Sequence, residues 1–542
     1  MSALETPEAT PTTIRRYATT PPGGAPAAPV GWGSRLPATE RRRHRRLGQR
    51  SSRQRDARRL SRLLPAVLGA ALLVAFVAWC TWEALGADDA EPTALTPAGA
   101  MTLAVFAVAI WLWVFSSVGD TYVAIGAAVV LVVIGMLPAD TLFQSLGEDT
   151  VWLLLSAFVI SAGVTSTGLA TRVAVYIVTG ATGLRQLAHL ITSFLVVTAF
   201  AVPATSGRAA LTLPVFVALA KSLEDRRRVV LALSLLFPSV ILLSAVGSYL
   251  GAGAHLITSQ ILQASGYEGF SFATWLVYGL PLSLVSSHLC AEIIVRMFTT
   301  GEDRRAPMRI TAEEVQAHSQ VPVTGPLTVA QNRAALLVSA VVVLWCTEPV
   351  HGLHPAIVAL LGALLVASPN VGSVSMGKAI KAVPWSLLLF MSTTLALGAA
   401  LVSTGAAQWL AHRVLGPVAG MGAAAGAVFV VLVVAVSAAA HLVIQSRSAR
   451  SAVLIPLVVS LAPGVGVDPV AAALASTAAA GFCHTLTSSA KPVTLFSDVE
   501  DVETYTPRHL LRLSVVLGPV LVVLVLLFAF LVWPVMGLPL FA

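Results

Sequence analysis

Charge is what this chain has least of: only 11% of its 542 residues are Asp, Glu, Lys or Arg. That scarcity excludes a soluble core wrapped in a charged shell. Cysteine is also scarce, at four scattered positions, Cys80, Cys290, Cys346 and Cys483. None stands at metal-ligand spacing from another, so a disulfide scaffold and a thiolate metal site are excluded and the four read as packing residues. The chain has no GxSxG, no HExxH and no pair of aspartates inside an apolar run. With those dyads missing, no enzyme is expected. What is abundant is apolar surface: 56% of the residues are hydrophobic, mean hydropathy is +0.83, and many runs are long enough to cross a bilayer. That is the composition of an all-α polytopic membrane protein.

The net charge of +8 misleads until it is divided. Residues 1–62 hold fourteen Lys and Arg against four acids, a charge of +10, which leaves the rest of the chain at −2. This arm, with its ERRRHRRLGQRSSRQRDARRLSR run, has no apolar face to bury and reads as disordered. A nucleic-acid tail would share its charge. Placed against a transmembrane helix, it is better explained as a cytoplasmic anchor on anionic lipid. Nucleic acid is therefore not expected as a partner.

Apolar spans follow at about 63–86, 100–116, 121–138, 151–169, 229–263, 274–297, 333–349, 354–368, 384–404, 469–497 and 509–536, with two longer runs at 189–220 and 421–462. That makes about 11 transmembrane helices plus two paired runs. The run 189–220 is too long for one crossing of about 20 residues and too short for two. Its middle, PATSGR, breaks a helix, and two pieces of about 14 and 12 residues reach only about 20 Å each. We expect a re-entrant helical hairpin. Charge agrees: with 189–220 re-entering, KSLEDRRR (221–228), the loop TGEDRRAPMRITAEEVQAHSQ and GKAIKAV all fall on the inside, while Asp88, Asp89 and Glu91 fall outside. The N-terminus is then cytoplasmic and the C-terminus outside, in the cell membrane.

Two stretches nearly repeat one another. SGRAALTLPVFVALA (206–220) aligns without a gap to SARSAVLIPLVVSLA (448–462), pairing Arg208 with Arg450 and Pro214 with Pro456. The similarity widens to WLWVFSSVGDTYVAIGAAVVLVVIGML against LWCTEPVHGLHPAIVALLGALLVASP, and to TSTGLA against VSTGAA. The chain divides into the arm 1–62, a first span and outer loop 63–99, repeat 1 at 100–297, a cytoplasmic linker 298–332 and repeat 2 at 333–542. The hairpins 189–220 and 421–462 enter from opposite sides. An inverted-topology repeat is the signature of a secondary transporter, with its site where broken elements of the two halves meet.

The order of elements, with a hairpin closing on proline (LTLPVF, VLIPLV) and then a broken helix, resembles the divalent anion:sodium symporter (DASS) family over about residues 65–540. In that family each hairpin tip carries Ser-Asn-Thr; here those positions read Ala204-Thr205-Ser206 and Ser446-Arg447-Ser448. The family's Thr-Pro-Pro break falls at GAGAHLI (251–257) and TLTSSAKPV (485–493), without its double proline. The resemblance implies a homodimer that moves a small anion with Na⁺ held at the tips.

Of the basic residues beyond residue 62, Arg208, Arg447, Arg450 and Lys491 lie in the hairpin tips or the second break, where no acid lies. Cations at membrane depth without acidic partners, beside helix N-termini, make a site for an anion. The alternative is that Arg208 and Arg450 cap carbonyls or snorkel to water. Thr205, Ser206, Ser446, Ser448, Thr487 and Ser488 supply hydroxyl donors. Removing either hairpin arginine is expected to abolish anion binding and leave the fold intact. A fixed cation within about 5 Å of a Na⁺ site repels it strongly, so Arg447 favours sodium-independent exchange over sodium symport. His255, His441 and His484 are the candidates for proton coupling. His351 and His354 lack a third ligand, so neither a metal nor a cofactor is expected. An anion channel is the rival of another class. Dicarboxylate, sulfate, phosphate and citrate all remain open as substrate.

Overall fold

The computed structural model describes residues 66–86, 94–317, 322, 324–419 and 422–541. The basic arm 1–62 and the acidic loop residues Asp88, Asp89 and Glu91 lie outside the described residues. Among the described residues the fold is all helical, without a named strand, and 11 helices are long and apolar enough to cross a membrane. Helices satisfy every backbone polar group within one segment, which is what a hydrocarbon solvent demands. Burial separates the centre from the rim. In Arg227–Gly247, 94% of the apolar window is buried, against 6% in Ala66–Leu85, whose side chains are left to face lipid.

The two long runs form helix pairs. The first is Leu184–Ala201 followed by Thr205–Ser222, each of 18 residues. The second is Ala425–Ala439 followed by Arg447–Leu461, each of 15 residues. The first pair is therefore longer than the pieces expected from hydropathy. Its first helix starts at Leu184, directly after Gly183, and its second runs past the last apolar residue to Ser222. At 1.5 Å per residue each arm is about 27 Å long, so length no longer argues that they stop part-way through a bilayer. Only the charge argument for re-entry remains.

Two other helices are interrupted. Arg227–Leu243 gives way to short 3₁₀ turns and resumes as Gly253–Ala264. Pro469–Ala479 resumes as Lys491–Ser497. Both interruptions open earlier than expected. Pro492 stands inside the first turn of the resumed helix, where its missing N–H costs nothing, so it starts that helix rather than breaking it. Gly251 is folded so tightly on the preceding turn that a Cβ there would lie 2.1 Å from the Ala245 carbonyl oxygen.

The two halves share local detail. Gly168 in TSTGLA and Gly405 in VSTGAA both take left-handed φ, +69° and +74°, a conformation that glycine alone adopts without strain. They also lock together. Phe216, Phe237 and Phe496 form a triangle with centroids 5.4–5.7 Å apart, joining the first pair to both broken helices. Deeper in, the hydroxyls of Thr258 and Thr477 meet at 2.7 Å across the halves.

Candidate functional site

A cavity of about 550 Å³ opens where these elements converge. Helices begin on it at Asp120, Thr205, Gly253, Arg447 and Lys491. The first-turn N–H groups of a helix have no intrahelical partner and carry partial positive charge. Of the residues expected to bind substrate, Thr205, Ser206, Ser446, Arg447, Ser448, Arg450, Ser488 and Lys491 line the cavity. Arg208 and Thr487 do not.

The backbone enters the two tips differently. Ala204 precedes the first tip at φ +65°, ψ 137°, a region that side chains rarely tolerate. Ser446 precedes the second at φ −71° and caps its helix, its Oγ accepting from the Ala449 N–H at 3.3 Å.

The cations differ in how well they are satisfied. Arg447 donates from Nη2 to the carbonyls of Leu242 (3.3 Å) and Gly481 (3.1 Å), one from each half. Arg450 is wholly buried; Nη1 donates to Phe482 O at 3.3 Å, Nη2 lies 2.7 Å from Cys483 Sγ, and Nε has no partner. Arg208 is wholly buried and fully engaged. Nε donates to Thr198 Oγ1 (3.1 Å), Nη1 to Ile241 O (3.0 Å), and Nη2 to Leu195 O (2.5 Å) and Ser244 Oγ (2.6 Å). Lys491 is exposed, not buried, because it is the first residue of the resumed helix and opens onto the cavity. Three of the four expected cations are thus buried or half-buried, and of these only Arg447 and Arg450 line the cavity.

None of the three histidines lines the large cavity. His255 stacks on Trp275 with centroids 4.6 Å apart, and its Nδ1 lies 3.0 Å from Ser248 O. With Arg447 it borders a separate void of about 20 Å³, room for about one water. His441 bridges Ala438 O (2.6 Å) and Thr485 Oγ1 (2.7 Å). His484 is buried beside the Phe482 ring, 5.2 Å away. Elsewhere, His354 Nε2 pairs with Asp149 at 3.0 Å, and His351 Nε2 lies 2.9 Å from Leu344 O.

Asp120 was missed in the sequence. It is the one acid among the described lining residues, in a wall formed with Ser116, Ser117 and Thr121. The signal was visible as the polar break SSVGD after Trp113, which marks the repeat and also builds the site.

A family model described as "Sodium:sulfate symporter transmembrane region" matches residues 84–538. A "Membrane protein" of Cupriavidus necator is 24% identical over 473 residues, 82% of this chain and 90% of that protein. The "Sodium-dependent dicarboxylate transporter SdcS" of Staphylococcus saprophyticus is 21% identical over 429 residues, 74% of this chain and 80% of that protein. Among solved structures, the fold is similar to MtrF of Neisseria gonorrhoeae, with a TM-score of 0.53 and 15% identity, over 88% of this chain and 96% of that one. It is likewise similar to the YdaH transporter of Alcanivorax borkumensis, with a TM-score of 0.50 and 15% identity, over 89% of this chain and all of that one. With its helix order, paired breaks and a match over most of its length, this multi-pass membrane chain belongs to the sodium:sulfate symporter family, the DASS family its proline-closed helix pairs resemble.

Proposed function

We propose that the protein is a secondary transporter, not an enzyme, which moves a small divalent or multivalent anion of dicarboxylate or sulfate type by alternating access. The observation that carries this is Arg447, a cation in a cavity built by both halves that donates there to one carbonyl from each half. Arg450 with its free Nε, Lys491 at the rim, the helix N-termini at Thr205, Gly253 and Arg447 and the hydroxyls of Thr205, Ser206, Ser448 and Ser488 supply further donors. A cavity of about 550 Å³ exceeds a small anion, so the anion takes one end and water fills the rest. Arg208, closed on protein acceptors, holds the first tip in place rather than touching the anion.

The charge-derived topology puts Ser116–Thr121, Pro384–Phe390 and Lys491 on the inner side, so the cavity faces the cytoplasm of a protein in the cell membrane. The N-terminus is then inside, the C-terminus outside, and both helix pairs re-enter from opposite faces. The family precedent of a homodimer is carried over here.

For coupling we favour sodium-independent exchange. Arg447 stands where the family places Asn, and a fixed cation cannot dissociate. An empty carrier keeps an uncompensated charge that resists crossing the bilayer, whereas a bound anion cancels it. Sodium symport is the second reading, favoured by the sodium-dependent dicarboxylate relative; proton coupling through His255, His441 or His484 is a third. Proteoliposome uptake with sulfate, phosphate, succinate and citrate tests the proposal. The expected result is uptake that requires an internal anion and is indifferent to replacing Na⁺ by K⁺ or choline. Steep Na⁺ dependence without internal anion would select symport, and unitary currents would select a channel.

A further inference from the structure

The second break holds a thiol among guanidinium groups. Cys483 Sγ lies 2.7 Å from Arg450 Nη2, lines the large cavity, and is 1% exposed. Arg450 is 0% exposed, meets no carboxylate, and keeps Nε without a partner. As a donor, the same sulfur reaches only Gly481 O at 3.6 Å and Ala480 O at 3.8 Å. The sulfur thus stands against basic side chains and no acid touches it, with Arg447 lining the same cavity. A neutral thiol is a poor partner for a buried guanidinium, and a buried charge without a counter-charge is costly.

We propose that Cys483 serves as a thiolate counter-ion to Arg450 while the cavity holds no anion, which makes it a modification site for small anionic electrophiles. This goes beyond the transport reading, because it concerns the empty cavity and is tested without transport. The charged and titratable groups around the sulfur are Arg450 and Arg447 from the second helix pair, Lys491 and Asp120 on the same cavity, His484 next in the chain, and His441, which like His484 packs on the Phe482 ring. Three basic side chains against one acid favour the thiolate, and they also draw an anionic reagent inward.

Iodoacetate is the probe. The thiolate sulfur attacks the methylene carbon, a carbon–sulfur bond forms, and iodide leaves with the electron pair of the broken bond. Carboxymethylation of Cys483 is followed by peptide mass spectrometry on the full-length protein in detergent from pH 6 to pH 8. An ordinary thiol reacts about tenfold faster per pH unit in this range. The native protein is expected to vary by less than about threefold, since its nucleophile is already ionised. Arg450→Lys should keep the flat profile and Arg450→Gln should restore the tenfold slope, with size-exclusion chromatography reporting on the fold. A tenfold slope in the native protein, or no modification of Cys483 by either iodoacetate or neutral iodoacetamide, would overturn the proposal. The native profile decides even where Arg450→Gln does not fold.

Discussion

Arg208 and Arg450 occupy the same place in the two repeats, yet they are built into different surroundings. Arg208 spends its guanidinium on Thr198, Ile241, Leu195 and Ser244, all in the first half, and has no share in the cavity. Arg450 reaches one carbonyl and one sulfur, leaves Nε free, and lines the cavity. The difference comes from the neighbours. In the ungapped register of the copies, Ala440 occupies the position of Thr198, so the second half lacks that hydroxyl. Internal symmetry therefore fixes where a side chain sits, while the local supply of acceptors decides whether it closes on protein or stays open to a ligand.

The largest expected effect tests that contrast. Arg208→Gln strips four acceptors of a buried donor, and each buried polar group left unsatisfied costs about 1–3 kcal/mol. Thermal unfolding in detergent should show a large loss for Arg208→Gln and a smaller one for Arg450→Gln. Anion binding should fail in Arg450→Gln while the protein stays folded. Equal stability of the two variants would erase the distinction, and Arg208 would return to the list of direct ligands.

The next effect compares two glycines in the first break. A Cβ on Gly251 would meet the Ala245 carbonyl at 2.1 Å, which is backbone and cannot yield. Gly251→Ala should cost about 3 kcal/mol through overpacking. A Cβ on Gly253 would meet Leu387 Cδ1 at 2.9 Å and Ser448 Oγ at 3.2 Å, both side-chain atoms on the cavity wall. Gly253→Ala should cost about 1 kcal/mol at most, but it should lower the transport rate because it crowds the second tip. Tm and uptake measured together separate the two outcomes.

Much of this was legible in the sequence. Hydropathy placed the spans and the repeat placed both tips, while the breaks named from the family resemblance open a few residues earlier than expected. Eight of the ten expected ligands do share one cavity. What was not legible depended on third parties. Nothing local to Arg208 announces that Thr198 and Ser244 will close around it. Asp120 lies far from the tips in sequence and joins them only through folding. The lengths of the first pair were misjudged because hydropathy marks where lipid is favoured, whereas the helix extends in both directions to Leu184 and Ser222.

A smaller effect separates the two tips. Ala204 enters the first helix at φ +65°, whereas Ser446 enters the second at an ordinary φ of −71°. Strain of this kind costs about 1–3 kcal/mol, and glycine gives part of the relief back as chain entropy. Ala204→Gly should therefore raise stability by about 1 kcal/mol, measurable as a higher Tm. Ser446→Gly should not raise it, because that residue is unstrained and loses its cap. A rise in both variants would mean that the tips are equally strained and that the difference in φ has no energetic weight.

The smallest effect is outside the membrane, where the two halves meet through exposed charge. Arg228 approaches Asp303 at 4.0 Å, and Arg227 approaches Glu503 of the second half at 3.9 Å. Asp303 does more than pair. Its Oδ2 accepts from the Thr300 hydroxyl (2.6 Å) and the Thr300 N–H (2.8 Å), and its own N–H donates to Thr300 Oγ1 at 3.2 Å, closing a capping box. The bonds from Thr300, with help from Arg228 and Arg226, hold its carboxyl below the usual aspartate range. A carboxyl depressed in the folded state adds stability above its ordinary value, and that stability is lost as pH falls through the folded one. Tm should therefore be flat in this respect from pH 8 to pH 5 and fall only in stronger acid. Asp303→Asn should cost about 1 kcal/mol or less near neutral pH and should converge with the native protein in strong acid, where both side chains are neutral. Glu503→Gln, which breaks only an exposed pair, should change Tm by less than either. If Glu503→Gln proves the more damaging, the halves are tied there by charge across them, and the capping box is incidental.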